Sequence, residues 1–199
     1  MARLRLGVLV SGNGTNLQAI LDAARSGRID ADVSVVISNQ PGAYALTRAE
    51  SAGVKAVSLP HRGFPSREAF DAALVEELRR ERVDWVVLAG FMRLLTPGFL
   101  AAFPQRVINI HPALLPAFPG AHAIRDALAY GVRVTGCTVH LVDEGVDTGP
   151  ILDQRAVPVE EGDTEEALAE RMHRAEHELY VDVLARLARG RLRLPAARG

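Results

Sequence analysis

Short runs rich in branched apolar residues alternate with longer amphipathic stretches along the first half of the chain: 4–10 then 16–26, 33–38 then 43–52, 54–59 then 66–82. Strands that alternate with helices in this way favour parallel pairing, because each helix supplies the crossover that a parallel ladder needs. Trp85-Val86-Val87-Leu88-Ala89 and Val107-Ile108-Asn109-Ile110 continue the series as nearly unbroken apolar strands. That pattern belongs to strands covered by helices on both faces. The expected fold is therefore α/β, a doubly wound and mostly parallel twisted sheet of Rossmann-like form with helices on both faces. In such a sheet, the C-terminal ends of the strands carry the site.

After His111 the rhythm changes. A proline-rich loop leads to a short helix over 123–130, and Thr135-Gly136-Cys137-Thr138-Val139-His140-Leu141-Val142 alternates like a strand with one polar face. Another strand is expected over 151–157, which gives the C-terminal part an antiparallel character. Asp163, with Glu166 three residues on, has the spacing of a capping box opening a long helix. Leu168, Met172, Ala175, Leu179, Val183 and Leu187 form that helix's apolar stripe, which is core. Gly27 and Gly53 stand where helix C-caps belong. One domain is expected over 1–190, with an N-terminal half to about 105, a second half from about 106, and a frayed tail over 191–199.

The chain's 199 residues, 48% hydrophobic, suffice for one substantial core, and a formal net charge of -1 offers no broad positive field for nucleic acid or an anionic membrane. Small molecules are the expected partners. Lys55, the only lysine among 23 basic residues, reads as codon bias or thermal adaptation. A lone Cys137 excludes an intrachain disulfide and suits a reducing compartment. The N-terminus lacks the long apolar stretch of a signal peptide, and no later segment could span a bilayer. A soluble cytoplasmic protein is expected.

Three segments carry chemistry. In Asn109-Ile110-His111-Pro112, residues i and i+2 share a strand face, so an amide and an imidazole point the same way at a strand end. Such a pair can donate to a substrate oxygen; its plainer reading is a polar strand end entering a turn. Ser11-Gly12-Asn13-Gly14-Thr15-Asn16 joins the first strand to the first helix, where backbone N–H groups and the helix dipole can hold a phosphate. A dinucleotide fingerprint would need glycine at position 17, which is Leu17, and an acidic residue ending the second strand, which is missing. The acidic loop Asp143-Glu144-Gly145-Val146-Asp147-Thr148-Gly149-Pro150 could be only a solvated turn. Asp147 gains interest because a carboxylate beside an imidazole favours its charged form and fixes its orientation.

Taken together with Phe91-Met92-Arg93 and Leu114-Leu115-Pro116, these segments resemble the glycinamide ribonucleotide formyltransferases, a branch of the folate-dependent formyltransferases, over nearly the whole chain. The Asn-x-His-Pro segment and the later Asp are shared by the wider superfamily, whereas the phosphate loop points to this branch. Ala113 departs from the pattern, since relatives commonly have serine there; a small effect is expected. The tail after Arg189 is also shorter than in some relatives.

The resemblance implies transfer of a formyl group from 10-formyltetrahydrofolate to the amine of glycinamide ribonucleotide in purine synthesis, without metal, nucleoside triphosphate or covalent enzyme intermediate. It implies Asn109, His111 and Asp147 as the catalytic set, with His111 the general acid and Asp147 keeping it protonated. Gly12, Asn13, Gly14, Thr15 and Asn16 would hold the substrate phosphate, Glu176 would reach the ribose hydroxyls, and His173, one turn earlier, would face the same region. Arg67, Met92, Arg93, Leu94 and Leu95 resemble the folate-contacting positions, together with Asn109 and the loop Asp143, Glu144, Gly145, Val146 and Asp147. Arg67 suits a glutamate-tail carboxylate, though a surface arginine at a helix start is the plain alternative. His61, His122, His140 and His177 receive no role. Monomer and homodimer are both compatible with the sequence. The other superfamily readings are a formyltetrahydrofolate hydrolase or a transferase acting on aminoacyl-tRNA or an amino sugar; the hydrolases carry an extra N-terminal domain and the tRNA enzymes a C-terminal extension, and neither is expected in 199 residues. A non-catalytic phosphate-binding module is the reading from a different class.

Overall fold

The computed structural model describes residues 3–195; Met1, Ala2 and the last four positions of the expected tail lie outside it. Seven strands form a single sheet in the order β3-β2-β1-β4-β5-β6-β7. They are β1 (Leu4–Val10), β2 (Ala31–Ser38), β3 (Ala56–Ser58), β4 (Trp85–Leu88), β5 (Val107–His111), β6 (Val134–Leu141) and β7 (Ile151–Pro158). β1 to β5 are parallel, whereas β5 pairs with β6, and β6 with β7, antiparallel. The doubly wound expectation with an antiparallel C-terminal part is therefore met.

The helices are α1 (Thr15–Arg25), α2 (Tyr44–Ser51), α3 (Arg67–Arg80), α4 (Pro97–Ala102), α5 (Ala123–Tyr130) and α6 (Glu165–Ala188). The sequence pattern did not suggest α4, a six-residue helix with proline in its first turn and Thr96 as its N-cap. At α6 the cap differs from the expected one. Thr164 accepts the Ala167 N–H, while Asp163 accepts from the Glu160 N–H and pairs with Arg171. The shorter hydroxyl holds the helix end, and the carboxylate is drawn off by the guanidinium.

Two apolar clusters, one on each face of the sheet, form the core. One joins β1, β4 and β5 to α1 and α6 through Val8, Leu17, Ile20, Val87, Ile108 and Tyr180; the other gathers Leu9, Ile37, Phe70, Leu74, Leu78, Val86 and Phe99 under α3 and α4. Neighbouring strand residues thus divide between two faces, which is why the parallel strands read as unbroken apolar runs. Tyr180 crosses from α6 into the sheet, where its hydroxyl is shared between the Leu88 and Ile108 carbonyls at 2.9 and 3.1 Å. It fixes α6 directly beneath the ends of β4 and β5. The connections reverse direction at the β1/β4 boundary, so a crevice opens above the C-terminal ends of these two strands.

Candidate active site

β5 delivers Asn109 and His111 to this edge on one face, as its alternation dictates; Asn109 is half-buried and His111 buried. The antiparallel register sets His140 of β6 directly opposite Asn109, and the Asn109 Nδ2 lies 3.3 Å from His140 Nε2. His140 Nδ1 lies 2.9 Å from the Leu141 carbonyl, an acceptor, so the hydrogen sits on Nδ1. Burial lowers the His140 pKa, which keeps the ring neutral and leaves Nε2 to accept the Asn109 amide N–H. The second Asn109 N–H is then turned toward the cleft. His140 was given no role from sequence, yet it orients the amide. Its signal was the polar face of β6, shared with Thr138; what the sequence lacked was the strand partner and its register.

Two groups hold His111. Asp147 Oδ2 lies 3.4 Å from Nδ1, and the Phe118 carbonyl lies 2.8 Å from Nε2. Both partners only accept, so a ring carrying hydrogen on each nitrogen satisfies them. The sequence reading had both donors facing a substrate oxygen. In the structure the Asn109 amide keeps a free N–H, while the His111 Nε2–H is engaged by Phe118. Asp147 also accepts the Gly120 N–H at 2.8 Å and stands 3.7 Å from His140. Asp147 and Phe118 have φ of 54° and 49°, a left-handed conformation that bulky residues adopt at a cost of order 1 kcal/mol. Gly149, two residues on, has the Leu141 carbonyl where a Cβ would stand, 1.7 Å away, so this loop closes against β6 only with glycine there. Thr138 donates to the Ala113 carbonyl and accepts the Leu115 N–H, tying the proline-rich loop to β6; Ala113 is fully buried there.

A cleft of about 100 Å³ lies against these groups, lined by Arg93, Leu94, Leu95, Asn109, Asp143, Glu144, Gly145 and Asp147, with Leu88, Phe91, His140 and Val142 added. Met92 and Val146 are exposed and stand outside its lining. Arg67, also outside it, donates to the Leu94 carbonyl at 3.0 Å and so holds the cleft wall from behind. A larger hollow of about 700 Å³ between α3 and α4 contains none of Asn109, His111 or Asp147. Convergent polar groups, rather than size, place the site in the smaller cleft.

The Gly12–Asn16 loop opens α1 at the end of β1. Gly14, its N-cap at φ 80°, would drive a Cβ to within 2.6 Å of Ala45 on α2, so only glycine fits both the turn and the packing. Arg48 of α2 grips the loop through the Asn13 carbonyl and side-chain oxygen, each at 2.8 Å. Glu176 of α6 is buried with Asn16 as its hydrogen-bond partner, and burial pushes its carboxyl up to about 7. His173 is exposed, its ring stacked 6.4 Å from His177, whose Nε2 is buried without a partner. His177 was also passed over in the sequence. Among the described residues, no three His, Cys, Asp or Glu side chains gather into a metal-holding group, and no helix is long and apolar enough to cross a membrane.

Residues 4–184 match the formyl transferase family model. The chain is 55% identical to glycinamide ribonucleotide transformylase 1 from Symbiobacterium toebii; that crystal structure aligns with a TM-score of 0.95, covering 98% of this chain and 92% of its own. It is 44% identical over 187 residues to the phosphoribosylglycinamide formyltransferase of Escherichia coli, covering 94% of this chain and 88% of the relative. Against the trifunctional purine biosynthetic protein adenosine-3 of Drosophila melanogaster it is 49% identical over 190 residues, yet it spans only 14% of that protein's length.

Proposed function

Because this chain belongs to the formyl transferase family, we propose that it carries the formyl group of 10-formyltetrahydrofolate to the amine of glycinamide ribonucleotide, giving N-formylglycinamide ribonucleotide and tetrahydrofolate in purine biosynthesis. The observation that carries this reading is that Asn109 and Asp147 line one cleft, with His111 held against Asp147 at 3.4 Å, while a helix-opening loop suited to phosphate ends the first strand.

The ribonucleotide phosphate lies against the Gly12–Asn16 backbone, and its ribose hydroxyls donate to Glu176. The donor occupies the cleft between the 93–95 wall and the 143–147 loop. The neutral amine attacks the formyl carbon, whose carbonyl π electrons move onto oxygen. The free Asn109 N–H and the charged His111 ring stabilise that oxyanion, the position where preorganised donors act most strongly. As the tetrahedral centre collapses, the bond to the folate nitrogen breaks. The proton lost by the attacking nitrogen reaches the leaving nitrogen through His111, held in place by Asp147.

The test is an absorbance assay for release of tetrahydrofolate from a 10-formylfolate donor, with and without glycinamide ribonucleotide. Release that depends on the ribonucleotide is expected. Release without an acceptor would instead mark a hydrolase, and none at all would leave a binding module.

A further inference from the structure

Ser11 follows β1 at the position where the sheet's connections reverse, and its hydroxyl both donates and accepts there. It donates to Asn39 Oδ1 at 2.6 Å and accepts the Met92 N–H at 2.9 Å. Its own N–H donates to the Gly90 carbonyl at 3.0 Å. Asn39, 2% exposed at the end of β2, is braced in turn by the His61 ring, with Nδ2 and Nδ1 3.2 Å apart. A chain of side chains thus runs along the strand ends from the 3-10 turn at His61–Gly63 to the peptide of Met92. The Met92 side chain faces outward, but the next three residues form one wall of the catalytic cleft.

We propose that Ser11, although it begins the loop assigned to the ribonucleotide phosphate, is a positioning residue for the formyl donor: its hydroxyl sets the Met92 peptide and through it the Arg93–Leu95 wall. Two features support this over a local staple for the phosphate loop. The hydroxyl makes no hydrogen bond within 12–16; its partners lie just after β2 and on the segment after β4. The phosphate loop has supports of its own, namely Arg48 on Asn13 and the Ala45 N–H on the Gly12 carbonyl at 3.1 Å. Removal of the hydroxyl therefore releases the donor wall and leaves the neighbouring loop held.

The inference rests on the formyl-transfer reading, and one calorimetric series separates the two. Tetrahydrofolate and glycinamide ribonucleotide are titrated separately into the full chain, as wild type, Ser11→Ala, Ser11→Thr, Asn39→Leu and the Ser11→Ala, Asn39→Leu double variant. Ser11→Ala is expected to weaken tetrahydrofolate by about tenfold, the scale of one lost hydrogen bond, and the ribonucleotide by less than about threefold. Ser11→Thr, which keeps the hydroxyl, should restore tetrahydrofolate binding. Asn39→Leu should weaken it without adding to Ser11→Ala in the double variant, as expected for links in one chain. Equal weakening of both ligands, weakening of the ribonucleotide alone, no change, or a threonine variant as weak as alanine would each overturn the proposal. A wild type that binds neither ligand would remove the formyl-transfer reading and the proposal with it.

Discussion

His111 and Asp147 illustrate how much of a site can be read from residue types and how much needs geometry. If Asp147 holds the charged His111 ring for acid catalysis, His111→Ala and Asp147→Asn should each lower turnover by roughly a hundredfold or more, with smaller changes in substrate binding. Steady-state kinetics on both variants checks this, and near-normal turnover in either would remove the role. Glu176 gives a second prediction. Its folded carboxyl titrates at about 7, well above the ordinary carboxylate range, so between the two the folded chain holds a proton that the unfolded chain has lost. Stability conferred by the neutral form is present at low pH and is lost as pH rises toward 7. Glu176→Gln should match wild type near pH 5 and exceed it near pH 8 by up to about 3 kcal/mol in denaturant titrations. The shared face of Asn109 and His111 was legible from strand alternation alone, whereas Asp147, in a loop, drew interest only through the imidazole it would partner. His140 was not, since its meaning comes from standing across an antiparallel ladder from Asn109, and neither the pairing nor its direction is written in either strand.

The elements that present these side chains were legible wherever period and length agreed. Parallel strands buried on both faces left unbroken apolar runs, and α5 spans the residues its pattern predicts. The six-residue α4 was hidden because one turn and a half of helix leaves too little periodicity to separate from a loop. Tyr180 shows that an apolar stripe can carry a polar duty: the position beside Leu179 is the bolt between α6 and the sheet. Tyr180→Phe removes a buried donor from two carbonyls and should cost about 1–3 kcal/mol, measured by chemical denaturation. The junction of β1 and α1 makes a separate prediction. Inorganic phosphate should compete with the ribonucleotide, and Gly14→Ala, which forces a Cβ against Ala45, should weaken both together. Competition that survives Gly14→Ala unchanged would move the phosphate to another site.

Across the whole molecule, one sheet unites the two halves that the sequence divides near residue 105. β4 from the first half pairs with β5 from the second, and each apolar cluster draws on both. Trp85, the only tryptophan, lies buried in β4 at this seam. Its fluorescence and the far-ultraviolet dichroism should therefore report one coincident unfolding transition, and separated midpoints would show halves that come apart independently. The placement of the site at the reversal of the winding follows from the fold class alone, whereas the small volume of the cleft does not. The carbonyl of Phe118 has a further effect. Both imidazole nitrogens of His111 face acceptors, Asp147 on one side and this carbonyl on the other, so neither points unopposed into the cleft. A proton on Nε2 passes to an entering group only as it leaves the oxygen already in place. Proton transfer from this nitrogen is thereby tied to the turn that carries Phe118, whose left-handed backbone holds the carbonyl in place.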